Sequence, residues 1–160
     1  MQIDDSWYVR PKDVKERVSA GGVVVRLDGD QILVLVARER GRPGGYLPKG
    51  GIKKGETLEE AAKREIEEEA GVSDLTLLDS LGTLERLNFR RTRWVKTHLF
   101  LFITSQIDAV PTETDRHDRP LWCPIRDVSI IIWPEQRRLI EKNRRMIVEA
   151  AKSACDEARA

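Results

Sequence analysis

GGIKKGETLEEAAKREIEEEAGV, residues 50–72, is a glycine-rich loop running into a helix whose far end is almost entirely acidic. Thr57 with Glu60 three residues on is a capping box, good helix formers follow, and Gly71 supplies the stop, so a helix is predicted over 57–70. Glu65, Glu67, Glu68 and Glu69 crowd its last turns. The helix dipole is negative there and disfavours each carboxylate by about 0.3–1 kcal/mol. Glu65 stands at i, i+3 to Glu68 and i, i+4 to Glu69, so the charges also repel one another. At about 100° per residue, Leu58, Ala62, Glu65 and Glu69 fall within about 60° of each other, while Glu60, Lys63 and Glu67 point the opposite way. Two acids therefore extend the core-facing stripe, where a bound divalent cation would relieve both burial and repulsion. Hard oxygen ligands select Mg²⁺, with Mn²⁺ as the alternative, over zinc, and the scarcity of histidine (His98 and His117) points the same way. For a Glu-rich helix taken alone, the competing reading is a solvated acidic face with Arg64 pairing locally.

Upstream, residues 18–27 and 32–37 are two apolar runs around the turn Asp28-Gly29-Asp30, which reads as a hairpin. Gly41-Arg42-Pro43-Gly44-Gly45 is loop. Residues 1–16 form an N-terminal arm whose Trp7 and Tyr8 dock on the body, and the domain proper covers 17–160. Downstream, 75–89 and 94–104 flank the turn Arg90-Arg91-Thr92-Arg93 as a second, longer hairpin. A polar loop over 111–120, a short strand over 121–125, a short helix over 127–132 stopped by Pro134 and a long terminal helix complete the chain. Leu139, Ile140, Met146, Ile147, Ala150 and Ala151 give that last helix an apolar stripe. The stripe packs on the core or, in a minority reading, on a second copy, so the chain is expected to be a monomer or a homodimer. The order of elements implies an α+β fold, a mixed sheet sandwiched between helices.

With its loop, the acidic helix resembles the Nudix box, G-x5-E-x7-R-E-U-x-E-E-x-G-U, at every one of its nine defined positions: Gly50, Glu56, Arg64, Glu65, Ile66, Glu68, Glu69, Gly71 and Val72. The resemblance to the Nudix hydrolase family implies an α/β/α sandwich and metal-dependent hydrolysis of a nucleoside diphosphate linked to another moiety. It implies metal ligands at Glu65, Glu69 and the Gly50 carbonyl, with Glu68 as a further ligand or general base. Arg64 and Glu56 resemble the pair that braces loop against helix. Some family members carry an additional catalytic glutamate in a later loop, for which Glu113, with Asp115 behind it, is the candidate. Lys49 beside the metal loop and Arg38 at the end of the second strand are candidates for phosphate contacts. The Leu47-Pro48-Lys49-Gly50-Gly51 lead-in and the Leu87-Asn88-Phe89 segment make the chain similar to the diadenosine tetraphosphate hydrolase branch. Phe89 stands where that branch commonly has an aromatic residue, and it either stacks an adenine or is a strand residue of the core. The ADP-ribose branch tends to have a proline near this point, and none lies between Val72 and Val110.

Charge is segregated along the chain although 28 basic and 27 acidic residues nearly cancel. Six cations (Arg38, Arg40, Arg42, Lys49, Lys53, Lys54) oppose Glu39 alone, seven glutamates over 56–69 oppose Lys63 and Arg64, and Arg86, Arg90, Arg91, Arg93 and Lys96 oppose Glu85. Basic runs on either side of an acidic block suit a polyanionic small molecule: a dinucleoside polyphosphate first, then a diphosphoinositol polyphosphate, a nucleoside triphosphate or ADP-ribose. The near-neutral total argues against general nucleic-acid binding, an RNA 5′ end being the exception. A nucleotide sensor that does not cleave is expected to have lost box carboxylates, and none is missing. Apolar residues at 40% and charged residues at 34% exclude disordered and collagen-like classes, and no apolar run approaches the ~18 residues of a membrane span. Asp4 and Asp5 occupy the place where a secretory signal needs an apolar stretch. Cys123 and Cys155 lack metal-ligand spacing and are too few for a disulfide framework, so a reducing, cytoplasmic location is expected.

Overall fold

The computed structural model describes residues 2–159. Six strands form one mixed sheet: β1 (Lys15–Asp28), β2 (Gln31–Glu39), β3 (Lys49–Gly51), β4 (Thr76–Leu87), β5 (Arg93–Ile103) and β6 (His117–Pro124). The order across it is β4-β5-β1-β2-β6. β1 is long enough to take two partners on one side, pairing through Val25–Asp28 with β2 and through Ser19–Gly21 with β3. It runs parallel to β5, while every other pairing is antiparallel.

Alternation along the strands sends successive side chains to opposite faces, each covered by one helix. On one face Ala20, Val24, Leu35 and Phe102 pack against Ala61, Ala62, Ile66 and Ala70 of α1 (Leu58–Ala70). On the other, Val23, Val25, Val34, Val36, Leu99 and Leu101 pack against Ile140, Ile147 and Ala151 of α2 (Pro134–Arg159). The fold is therefore the expected α+β sandwich. A third cluster joins Trp7, on a 3₁₀ turn over Asp5–Tyr8, to Leu87, Trp94 and Trp133, and the Trp7 and Trp133 rings meet edge to face at 5.3 Å. Tyr8 donates to Glu135 Oε1 at 2.7 Å. Both aromatics of the arm dock on the body.

Three local expectations are corrected. Residues 127–132 form no helix: Ser129 turns its N–H and hydroxyl to Asp127 Oδ1, and the backbone of Ile130 and Ile132 is engaged by Gly45. The short strand begins earlier than 121, since β6 pairs with β2 from Glu39↔His117 onward. Pro120 is tolerated because β6 is an edge strand with a bulge opposite Ala37, between Val36 and Arg38, where a missing N–H breaks no ladder bond. Phe89 lies outside β4, in the β4–β5 turn, and is 45% exposed, which removes it from the core.

Candidate active site

The site is built around α1 and the three-residue strand β3. Thr57 Oγ1 accepts from Glu60 N and Glu60 Oε1 from Thr57 N, the capping box read in the sequence, and Gly71 ends the helix at φ 73°. Gly71 has a second reason to be glycine, since a Cβ would lie 2.3 Å from the Val110 backbone. The chain passing there donates Thr112 N to Glu67 O (3.4 Å) and Glu113 N to Glu68 O (3.1 Å). Glu67 O already accepts from Gly71 N (3.0 Å), whereas Glu113 N gives Glu68 O a partner from the loop, and the loop acid is fixed beside the acidic end of the helix. Gln106 fastens the same loop, accepting from Ser73 N and Asp74 N and donating to Gly71 O.

Arg64 is saturated with acceptors. Its Nε and Nη2 form a fork on Glu56 (2.7 and 2.9 Å), Nη2 also reaches Gly51 O (2.8 Å), and Nη1 reaches Glu65 Oε1 (2.8 Å) and, more loosely, Glu68 (3.3 Å). Hydrogen bonding to Glu56 raises the guanidinium pKa further, and Arg64 with the Lys53 N–H holds the Glu56 carboxyl down to about 2. Loop, β3 and helix are thus tied by one side chain.

Glu65 lies against Gly50 so closely that a Cβ there would sit 2.2 Å from the Glu65 Cδ, so any other residue at position 50 would displace that carboxylate. Glu69 accepts the Lys49 N–H at 3.1 Å. Burial pushes both carboxyls up; for Glu69 the Glu65 charge adds to it, with a smaller contribution from Glu113. Glu68 turns toward Arg64. Among the described residues no three acids, cysteines or histidines are gathered in ligand geometry. The donors nonetheless fit a divalent cation: hard carboxylate oxygens, desolvated and mutually repelling, beside a carbonyl-bearing strand that no side chain obstructs.

The other proposed site residues are dispersed. Lys49 lies on β3 one residue from Gly50, so its side chain leaves on the α2 face, into a cavity of about 10 Å³ with Arg86, Thr97, Glu135 and Gln136. Burial, with Arg86 nearby, lowers its pKa. Arg38 donates Nε to Arg119 O (2.9 Å) at the β2–β6 edge. Phe89 is capped by the Arg42 guanidinium, 4.3 Å from its ring centroid. Sequence reasoning missed Tyr46 and His117. Tyr46 is raised in pKa by burial and by Glu69, Glu39 and Glu113, and the buried His117 ring meets it at 6.4 Å, with Nδ1 3.6 Å from Glu113 Oε2. No motif marks either residue.

A mixed sheet between two helices, with an acidic helix end clasped to a glycine strand by an arginine, defines a class of α+β sandwich domains. The chain belongs to the NUDIX domain family, whose model matches residues 15–143. It is 34% identical over 134 residues to a Mycobacterium tuberculosis protein named as a mutator protein (77% of this chain, 52% of the relative). To an RNA pyrophosphohydrolase of Sodalis glossinidius it is 38% identical over 96 residues (58% of this chain, 49% of the relative). It shares its fold with a C. elegans Ap4A hydrolase solved as a binary complex, at a TM-score of 0.70 and 24% identity, over 83% of this chain and 98% of that one. The chain spans about half or less of the length of the curated relatives it matches. Nudix hydrolases generally use divalent metal ions.

Proposed function

We propose that this chain is a Mg²⁺- or Mn²⁺-dependent pyrophosphohydrolase that cleaves a phosphoanhydride of a dinucleoside polyphosphate. The observation that carries the reading is the pair Glu65 and Glu69 behind the bare Gly50 backbone, two acids whose carboxyls stay pushed up by burial although Arg64 donates to one and the Lys49 N–H to the other. Glu65, Glu69 and the Gly50 carbonyl would hold the ion, with Glu68 as a further ligand once released from Arg64. When bound, a divalent cation neutralises phosphoryl oxygens and acidifies water.

The residues of the chain do the rest. Arg64 and Glu56 keep the loop, β3 and α1 in register. A carboxylate, Glu68 or Glu113, takes the proton of the attacking water as its oxygen bonds to phosphorus. The bridging P–O bond breaks, and the leaving phosphate keeps its electron pair. Arg38 meets phosphates, and an adenine takes the place of the Arg42 guanidinium on Phe89. We place the reaction in the cytoplasm, consistent with two free cysteines, and no helix among the described residues is long and apolar enough to cross a membrane.

A panel of diadenosine tetraphosphate, a diphosphoinositol polyphosphate, ADP-ribose, a nucleoside triphosphate and 5′-triphosphorylated RNA, each with Mg²⁺ or Mn²⁺, tests this. Fastest release is expected from the dinucleotide. Preference for the RNA 5′ end, an outcome favoured by the likeness to an RNA pyrophosphohydrolase, replaces the substrate, and no turnover of any of them removes the enzymatic reading.

A further inference from the structure

Glu113 is held at three main-chain points. Its N–H donates to Glu68 O, and its carbonyl accepts from Arg116 N (3.3 Å) and His117 N (3.1 Å), so the loop curls back and places His117 one helical turn beyond it. His117 is the first residue of β6, fixed opposite Glu39, and only 5% exposed. Its Nδ1 is buried without a hydrogen-bond partner. Such an atom has given up water without a replacement, and native structures rarely leave one without a reason. The ionisable group paired with it is Glu113, whose side chain is 37% exposed and therefore free to move. The Glu113 charge in turn reaches Glu65, Glu69 and Tyr46. Glu68, the other candidate base, leans on Arg64.

We infer that His117 is a positioning residue: its Nδ1–H closes onto Glu113 Oε2 and holds that carboxylate toward the acidic end of α1, so that Glu113 is the group that takes the proton from the attacking water. The inference rests on the pyrophosphohydrolase reading for its chemistry. The 3.6 Å separation belongs to the free protein, in which catalytic hydrogen bonds are commonly long. A buried imidazole that merely fills space beneath Tyr46 has nothing to draw the proton from Nε2, its ordinary place in neutral histidine, to Nδ1. The positioning role requires Nδ1–H.

The test compares the full chain with His117→Asn, His117→Gln, Glu113→Gln and the double variant His117→Gln/Glu113→Gln, using diadenosine tetraphosphate and Mg²⁺. An Asn amide nitrogen reaches the place of Nδ1, and a Gln amide that of Nε2. Glu113→Gln and His117→Gln are expected to lower kcat, the latter by about 10–100-fold, with KM unchanged. His117→Asn keeps most of kcat, and the double variant falls no further than Glu113→Gln. Imidazole ¹⁵N NMR of the wild-type chain is expected to show the proton on Nδ1 and a shift of that nitrogen in Glu113→Gln. Wild-type kcat in His117→Gln, additive losses in the double variant, equal losses in Asn and Gln, or a proton confined to Nε2 each overturn the inference. If wild type turns over no phosphoanhydride, the pyrophosphohydrolase reading falls, and the NMR comparison still decides the His117–Glu113 link.

Discussion

Arg64 and Arg86 each bring a nitrogen to within 2.7 Å of a glutamate, yet the two pairs stand in opposite electrostatic surroundings. Arg64 faces three carboxylates and a carbonyl, and its hydrogen bonds raise its pKa. Arg86, on the α2 side, is buried with Glu135 as its one carboxylate, stacks 3.4 Å over Trp133 and donates to Leu87 O; burial lowers its pKa. The first arginine sits in an excess of negative charge that it cannot neutralise alone. The second is matched one to one and seals the arm against the body. The same ion pair therefore stands in an acid-rich site on one face and in a structural seam on the other.

The largest effect expected on the α1 side follows Glu69→Gln, which should cost about 10²–10⁴-fold in turnover. Because burial raises the Glu69 pKa, its charged form destabilises the metal-free fold at pH 8. In chelator the variant should therefore melt higher than wild type, whereas added Mn²⁺ should raise the melting temperature of wild type alone. Thermal shift at both conditions checks the sign, and a lower melting point in chelator would break the comparison.

Arg86→Ala comes next, leaving Glu135 buried without its partner at a cost of about 3 kcal/mol, with turnover near wild type. Arg64→Ala, whose side chain is 21% exposed, should cost about 2 kcal/mol but remove most activity. Denaturant melts with parallel assays would sharpen the contrast, or reverse it. Tyr8→Phe deletes the arm's bond to Glu135 and should cost about 1 kcal/mol, read from the same melts. Smallest is the acid limb of Glu56. Its carboxyl is held down to about 2, so its contribution is complete above the ordinary glutamate pKa and is lost as pH falls toward 2. The melting-point gap between wild type and Glu56→Gln should close over that range.

The Arg64 half of this comparison was legible because its partners lie within one loop and helix, a stretch short enough to carry the Nudix-box resemblance that implied the Glu56–Arg64 brace. Arg86 was visible only as one charge in a basic run, since Glu135 is 49 residues away and the pairing depends on how α2 crosses the sheet. Distance in sequence also hid His117 and Tyr46, which meet only because the β2–β6 ladder and the Ala37–Tyr46 bridge bring them side by side. The direction of Lys49 was lost to the pleat: a single-residue step from Gly50 sends its side chain into the cavity beside Arg86 and Glu135, where the Glu69 charge still reaches it. Residues 127–132 read as a helix because their composition permits one, and the pairing of Gly45 with Ile131 prevailed.

The clasp between the end of α1 and the loop at Thr112 and Glu113 is made by main-chain atoms alone. The main chain at position 113 is therefore anchored whatever residue stands there, and the aim of its side chain is left to its neighbours, so the anchor tolerates substitutions that the neighbourhood must then accommodate.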